Sequence, residues 1–263
     1  MINKIKIAFF DMDGTLFDHS RKIVSKEVIE GLKKLKENGV ILCIATGRPY
    51  EMLNQVNSYI DEIDFDYLIT SNGQSIYEKR KLVYRNFLDK EDVKTIIKIA
   101  KKHNLTLNLV GDNTNIVTKK NDLLNISCES VGFECPTVTQ IGNDFDRNVD
   151  HAVIYEPLTY RKYFVNKLKN SVITYWSSDV FEFTPDNGVK IHGIKILLKQ
   201  LEIDKDNAIA FGDGANDVEM LEYVGFGVAM KNATDYVKEH ADYITDDVQE
   251  DGVLTALQKT NLI

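Results

Sequence analysis

The chain has 263 residues, 43% of them apolar or aromatic, and a formal charge of −8 at pH 7. That length can bury one large core or two smaller ones, and the acidic balance argues against a nucleic-acid partner gripped by a basic face. No stretch nears the length of a membrane-spanning helix, and Met1-Ile2-Asn3-Lys4 leads into a strand without a signal-peptide shape, so a cytoplasmic, membrane-free protein is expected.

Strand and helix patterns alternate at the start, as in parallel α/β architecture. An apolar run from Ile5 to Phe10 reads as a buried strand. Ser25 to Asn38 has helical spacing at Val28, Ile29, Leu32 and Leu35, closed by Gly39. Val40–Ala45 and Asp66–Thr70 read as further strands, with helix-compatible residues after Pro49. From about Leu82 to Thr184 the rhythm breaks into a helix beginning near Asp89 and short strands at 105–110, 152–155, 172–175 and 180–184, with a helix near Tyr160–Leu168. Pro185-Asp186-Asn187-Gly188 is a turn signal. Alternation then resumes with a helix to Leu201, strand Ala208–Phe211, helix Val218–Val224 and strand Phe226–Ala229. The expected division is therefore an α/β core from 1–81 and 185–263, interrupted by an α+β insert at 82–184.

The first strand ends on Asp11-Met12-Asp13-Gly14-Thr15. Side chains alternate along a strand, so Asp11 and Asp13 share a face, and Gly14 lets the chain turn away behind them. Two such carboxylates repel, and one keeps its proton, unless a cation sits between them. Phe211-Gly212-Asp213-Gly214-Ala215-Asn216-Asp217 is a second acidic cluster, whose hard oxygen donors suit Mg²⁺. Asp217 is equally a good N-cap for the helix that follows. A calcium loop at Asp11–Gly14 is disfavoured, because the flanking strand and Phe17 do not fit the helix–loop–helix pattern. In Ala45-Thr46-Gly47-Arg48-Pro49, free amides near Gly47 and the Thr46 hydroxyl could cradle a phosphate, or form an ordinary strand-to-helix turn. Ser71-Asn72-Gly73 reads as a turn and carries no assigned chemistry. Lys190, at a helix start, is by position alone a solvated side chain. Cys43, Cys128 and Cys135 are odd in number and scattered, so neither a disulfide framework nor a zinc site is expected.

Taken in order, these segments resemble the haloacid dehalogenase (HAD) superfamily, in particular its Cof-type, subfamily IIB phosphatases. The resemblance continues through Gly227-Val228-Ala229-Met230 and Glu250-Asp251-Gly252-Val253. Many relatives have glycine where this chain has Ile191 and Lys231. The resemblance implies a Rossmann-like parallel-sheet core with an inserted α+β (C2-type) cap domain that closes over the site. It implies Asp11 as nucleophile, forming an aspartyl-phosphate, and Asp13 as acid–base. Mg²⁺ would be held by Asp11, the Asp13 backbone carbonyl and Asp213, with Asp217 supporting its water shell. Thr46, Gly47, Lys190 and Asn216 would hold the phosphoryl oxygens, and Trp176 and Glu182 of the cap would select the substrate. The implied activity is Mg²⁺-dependent hydrolysis of small phosphate monoesters such as sugar phosphates; a hexose-phosphate mutase is the alternative on the same fold.

Overall fold

A computed structural model describes residues 5–111, 114–131, 135–142, 144–185 and 190–263, with all their side chains except those of Glu51, Gln55, Ser130, Val131 and Trp176. It divides into two compact units, Met1–Arg85 with Val189–Ile263, and Asn86–Gly188.

The first unit is built on strands β1 (Ile7–Phe10), β2 (Ile41–Ala45), β3 (Tyr67–Thr70), β4 (Ser75–Glu78) and β5 (Lys81–Arg85). Helices α1 (Lys26–Glu37) and α2 (Asn57–Ile63) connect the first three of these strands. The second unit contributes α3 (Lys90–Lys102), β6 (Leu107–Gly111), β7 (Thr114–Val117), α4 (Asp122–Val131), β8 (Thr137–Val138), β9 (His151–Ile154), β10 (Ser171–Ser177) and β11 (Val180–Pro185). The chain then supplies α5 (Lys190–Gln200), β12 (Ala208–Gly212), α6 (Val218–Tyr223), β13 (Phe226–Ala229), α7 (Asp235–Lys238), β14 (Tyr243–Ile244) and α8 (Gly252–Lys259) to the first unit.

The first sheet runs β14-β13-β12-β1-β2-β3-β4-β5, parallel from β14 to β3 and antiparallel at β4 and β5. β1 is buried on both faces, as a central parallel strand must be. Ala8 and Phe10 pack with Leu32 and Leu35 of α1, while Ile7 and Phe9 pack with Ile194 and Leu197 of α5. The chain leaves β1 toward β2 on one side and returns by β12 on the other. The carboxyl ends of β1 and β12 therefore flank the switch point where open α/β sheets place ligands.

Local chemistry sets the helix boundaries. Ser25 caps α1 by accepting from the Val28 amide at 3.1 Å, and Gly39, at φ +83°, lets the chain turn into β2. β5 pairs with β4, so the first sheet extends to Arg85, a few residues past the boundary expected from sequence.

The second unit holds a six-stranded sheet in the order β10-β11-β9-β6-β7-β8, antiparallel except between β7 and β8. α3 begins at Asp89, whose carboxylate accepts from the amides of Glu91 and Asp92. The helix expected at Tyr160–Leu168 is instead a 3₁₀ segment over Leu158–Tyr163, following Pro157. The turn expected at Pro185–Gly188 lies, beyond Pro185, outside the described residues. Among the described residues no helix is long and apolar enough to cross a membrane.

Candidate active site

Strand pairing brings the two acidic segments together. β1 and β12 lie side by side, with Phe10 opposite Phe211, and the Asp11 amide continues the ladder to the Phe211 carbonyl at 2.9 Å. Gly14 makes the close approach possible. Its φ is +83°, and a Cβ there would sit 2.3 Å from Asp213 Oδ2, so any side chain would displace that carboxylate. Thr15, next along, donates from Oγ1 to Asp213 Oδ1 at 3.1 Å.

At the centre Lys190 joins two acids. The first residue of α5, it is only 1% exposed, which overturns its reading as a solvated side chain. Its Nζ lies 2.5 Å from both Asp11 Oδ1 and Asp217 Oδ1. Burial alone would lower the Lys190 pKa, but the two carboxylates outweigh it and hold the ammonium charged. Ile191, where relatives often have glycine, packs into the core with Ile194 and Leu197.

Asp217 does not cap α6 with its side chain. Its Oδ2 instead accepts from the amides of Asp213 and Gly214, at 3.1 and 2.9 Å, while Oδ1 takes Lys190. A carboxylate so fully bonded fixes its neighbours.

One oxygen from each of Asp11, Asp213 and Asp217 lies within 4.8 Å of the others. Burial, opposed by Lys190 and reinforced by the Asp217 and Asp213 charges, pushes the Asp11 carboxyl up to about 7. Burial and the Asp217 charge likewise raise Asp213 to about 6. Three crowded carboxylates with one lysine form an electron-rich, oxygen-only nest, and these donors fit a hard divalent cation. Asp13 contributes no carboxylate to the cluster. Its side chain turns away to Arg48, with Nε 2.7 Å from Oδ2 and Nη2 2.5 Å from Oδ1, while His19 Nε2 lies 2.8 Å from Oδ1.

The expected phosphate-binding residues lie around the same strand ends. The Thr46 hydroxyl is buried and accepts from the Arg48 amide at 3.1 Å, leaving its own proton to donate. A Cβ on Gly47 would meet Asn72 Oδ1 at 3.2 Å. Asn216 donates from Nδ2 to that same Asn72 oxygen at 3.1 Å. The Asn72 turn is clamped onto this loop, with the Ser71 amide donating to the Arg48 carbonyl and the Asn72 amide to the Thr46 carbonyl. Glu182 is partly buried in β11 of the second unit, opposite Thr174 of β10 and Val153 of β9. The Trp176 side chain lies outside the described residues.

The sequence alone assigns no role to Thr15, His19, Arg48 or Asn72, nor to Asn232, whose Nδ2 donates to Asp213 Oδ2 at 3.3 Å. The signal for Thr15 and Arg48 was adjacency to named motif residues. For Asn72 it was a turn after a strand ending beside β2.

A family model described as haloacid dehalogenase-like hydrolase matches residues 8–257. The chain is 30% identical to the 5-amino-6-(5-phospho-D-ribitylamino)uracil phosphatase YcsE of Bacillus subtilis (strain 168), over 97% of this chain and 95% of that one. A crystal structure of a hypothetical protein from Geobacillus kaustophilus HTA426 superposes with a TM-score of 0.88 at 31% identity, covering 98% of this chain and 100% of that one. The HAD subclass IIB sugar phosphatase BT4131 superposes at 0.82 with 26% identity, over 98% and 100% of the two chains. With its Rossmann-like parallel sheet, its inserted α+β unit and the paired acidic strand ends, the chain belongs to the haloacid dehalogenase-like hydrolases of Cof type and is a phosphoric monoester hydrolase.

Proposed function

We propose that the enzyme is a Mg²⁺-dependent phosphatase of small phosphate monoesters, sugar phosphates in particular, working through an aspartyl-phosphate on Asp11. The observation that carries this reading is the buried Asp11 carboxylate, tied at Oδ1 to Lys190 and facing Asp213 and Asp217 at the switch point of the sheet. Two of the relatives support this substrate class: one is called a sugar phosphatase, and the name of the other specifies a phosphoribityl group.

With Oδ1 engaged by Lys190, Asp11 Oδ2 is the oxygen left to attack phosphorus in line. The phosphorus–ester oxygen bond breaks, and Asp13 gives a proton to the departing alcohol oxygen. Asp13 then takes a proton from water as that water attacks phosphorus and releases Asp11. Lys190, the Thr46 hydroxyl, the Gly47 amide and the Asn216 carboxamide hold the phosphoryl oxygens, so that positioning and charge neutralisation lower the barrier. Mg²⁺, held by Asp11, the Asp13 carbonyl and Asp213 with Asp217 behind its water shell, would supply further neutralisation of phosphoryl charge.

Substrate choice is assigned to the inserted cap domain, with Trp176 and Glu182 as its candidate residues. Glu182→Ala should redistribute kcat/KM among sugar phosphates; an equal loss on every substrate would count against that role. The central test is hydrolysis of p-nitrophenyl phosphate: active with Mg²⁺, suppressed by EDTA, absent in Asp11→Asn. Full activity in Asp11→Asn would refute the mechanism.

A further inference from the structure

Asn232 is bonded to three separate parts of the chain. Its Nδ2 donates to the Gly14 carbonyl at 2.8 Å and to Asp213 Oδ2 at 3.3 Å, while its Oδ1 accepts from the Val248 amide at 3.1 Å. A carboxamide suits this place because it carries two donors and an acceptor in one plane. A carboxylate could not donate, and a hydroxyl would not span the three partners.

The anchor behind Asn232 is well supported. Val248 opens a short turn whose Gln249 amide is accepted by Asp247 Oδ1 at 3.0 Å. Gln249 Nε2 donates to Ser20 Oγ at 3.0 Å, and Arg21 reaches the Val248 carbonyl at 3.4 Å. The loop after β1 is thus fastened to the Val248 turn by two direct bonds. Gly252 closes the same turn, where a Cβ would lie 2.0 Å from the Asp246 carbonyl oxygen. Two late segments of the sequence, 227–232 and 248–253, therefore form one wall behind the acidic cluster.

Asp213 sits against that wall with one donor on each oxygen, Thr15 on Oδ1 and Asn232 on Oδ2. Each oxygen keeps a lone pair for a cation. The neighbouring Asp217 charge repels this carboxylate, and the two donors hold it in place against that repulsion. We propose that Asn232 is a positioning residue of the cation site: it orients the Asp213 carboxylate and pins the Gly14 carbonyl, so that the divalent ion meets a pre-set ligand. The proposal rests on the magnesium reading above.

The test titrates Mg²⁺ into wild type and Asn232→Ala with two readouts: half-saturation of p-nitrophenyl phosphate hydrolysis, and the Mg²⁺-induced rise in Tm without substrate. Losing a partner of this kind should raise the half-saturating concentration about ten- to a hundred-fold. The Tm rise at a fixed Mg²⁺ concentration should shrink in parallel, with turnover largely recovered at saturating Mg²⁺. Asn232→Ser, too short to reach all three partners, should weaken Mg²⁺ in the same way and serves if the alanine variant does not fold. Unchanged half-saturation with an unchanged Tm rise would overturn the proposal, as would a loss of kcat with Mg²⁺ affinity intact. A wild type indifferent to EDTA would instead remove the magnesium reading itself.

Discussion

Arg48 grips Asp13 with both prongs of its guanidinium, Nε on Oδ2 at 2.7 Å and Nη2 on Oδ1 at 2.5 Å. Paired, parallel bonds of this kind fix direction as well as distance. They hold the Asp13 carboxylate out of the Asp11–Asp213–Asp217 cluster. Under the proposed mechanism Asp13 would exchange one of these bonds for the ester oxygen.

Arg48→Ala should therefore lower kcat about ten- to a hundred-fold, since misplacing a catalytic group by an ångström is enough for that. Arg48→Lys should not restore it, because an ammonium cannot make the fork. Steady-state kinetics on the two variants checks this; wild-type kcat in Arg48→Lys would show that charge alone suffices.

Lys190 is buried between Asp11 and Asp217, and removing it leaves two carboxylates without a countercharge. Breaking such a buried pair costs about 3–5 kcal/mol. Lys190→Met should therefore lose that stability at neutral pH as well as activity, and lose less in acid, where a carboxyl can take up a proton. Denaturant unfolding at two pH values measures the difference, and a pH-independent loss would show that packing, not charge, is at stake.

The acids were legible in the sequence because a strand's own periodicity places Asp11 and Asp13, and because the flanking glycines announce close approach. The parallel core was legible for the same reason: β1, β2, β12 and β13 are uninterrupted apolar runs. Lys190 looked solvated because nothing local reveals that α5 starts against the ends of β1 and β12. Asn232 and Arg48 were opaque for a related reason. Gly14 lies 218 residues from Asn232 and Asp13 35 residues from Arg48, and a loop contact of that span has no periodic signature. The segment at 160–168 failed differently: Pro157 starts a tight 3₁₀ turn there, and its mixed apolar and charged residues imitate helical spacing.

Ser71, Asn72 and Gly73 all have positive φ, +51°, +52° and +90°. Three successive left-handed residues store strain, about 1–2 kcal/mol for each with a side chain. The turn keeps this shape because its amides are bonded to the Thr46–Arg48 loop, and it aims the Asn72 carboxamide at Asn216. Asn72→Gly and Asn72→Ala separate backbone from side chain. Glycine should preserve or raise stability, alanine should lower it by about 1 kcal/mol, and both should weaken inhibition by inorganic phosphate several-fold. Equal phosphate inhibition in wild type and Asn72→Gly would show that the carboxamide plays no part in the phosphate site.

Magnesium and pH should act on the same protons. Burial first, then neighbouring acids, raise the Asp11 carboxyl to about 7 and the Asp213 carboxyl to about 6, from an ordinary 3.8. Between those values the metal-free folded chain keeps protons that the unfolded chain has released. With fewer protons bound in the unfolded state, stability falls as pH rises from about 4 to about 7, and the loss is complete above that. A divalent cation needs the ionised carboxylates of the folded state, so its stabilisation, set by its concentration over Kd, grows across the same window. The Tm rise produced by a fixed Mg²⁺ concentration should therefore be small near about pH 5 and large near about pH 8. Asp11→Asn should remove the part of the metal-free slope nearest neutrality and leave the Asp213 part. Scanning calorimetry with and without Mg²⁺ reads both effects, and an equal Mg²⁺ shift at the two pH values would mean that the cation, if bound, sits away from these carboxylates.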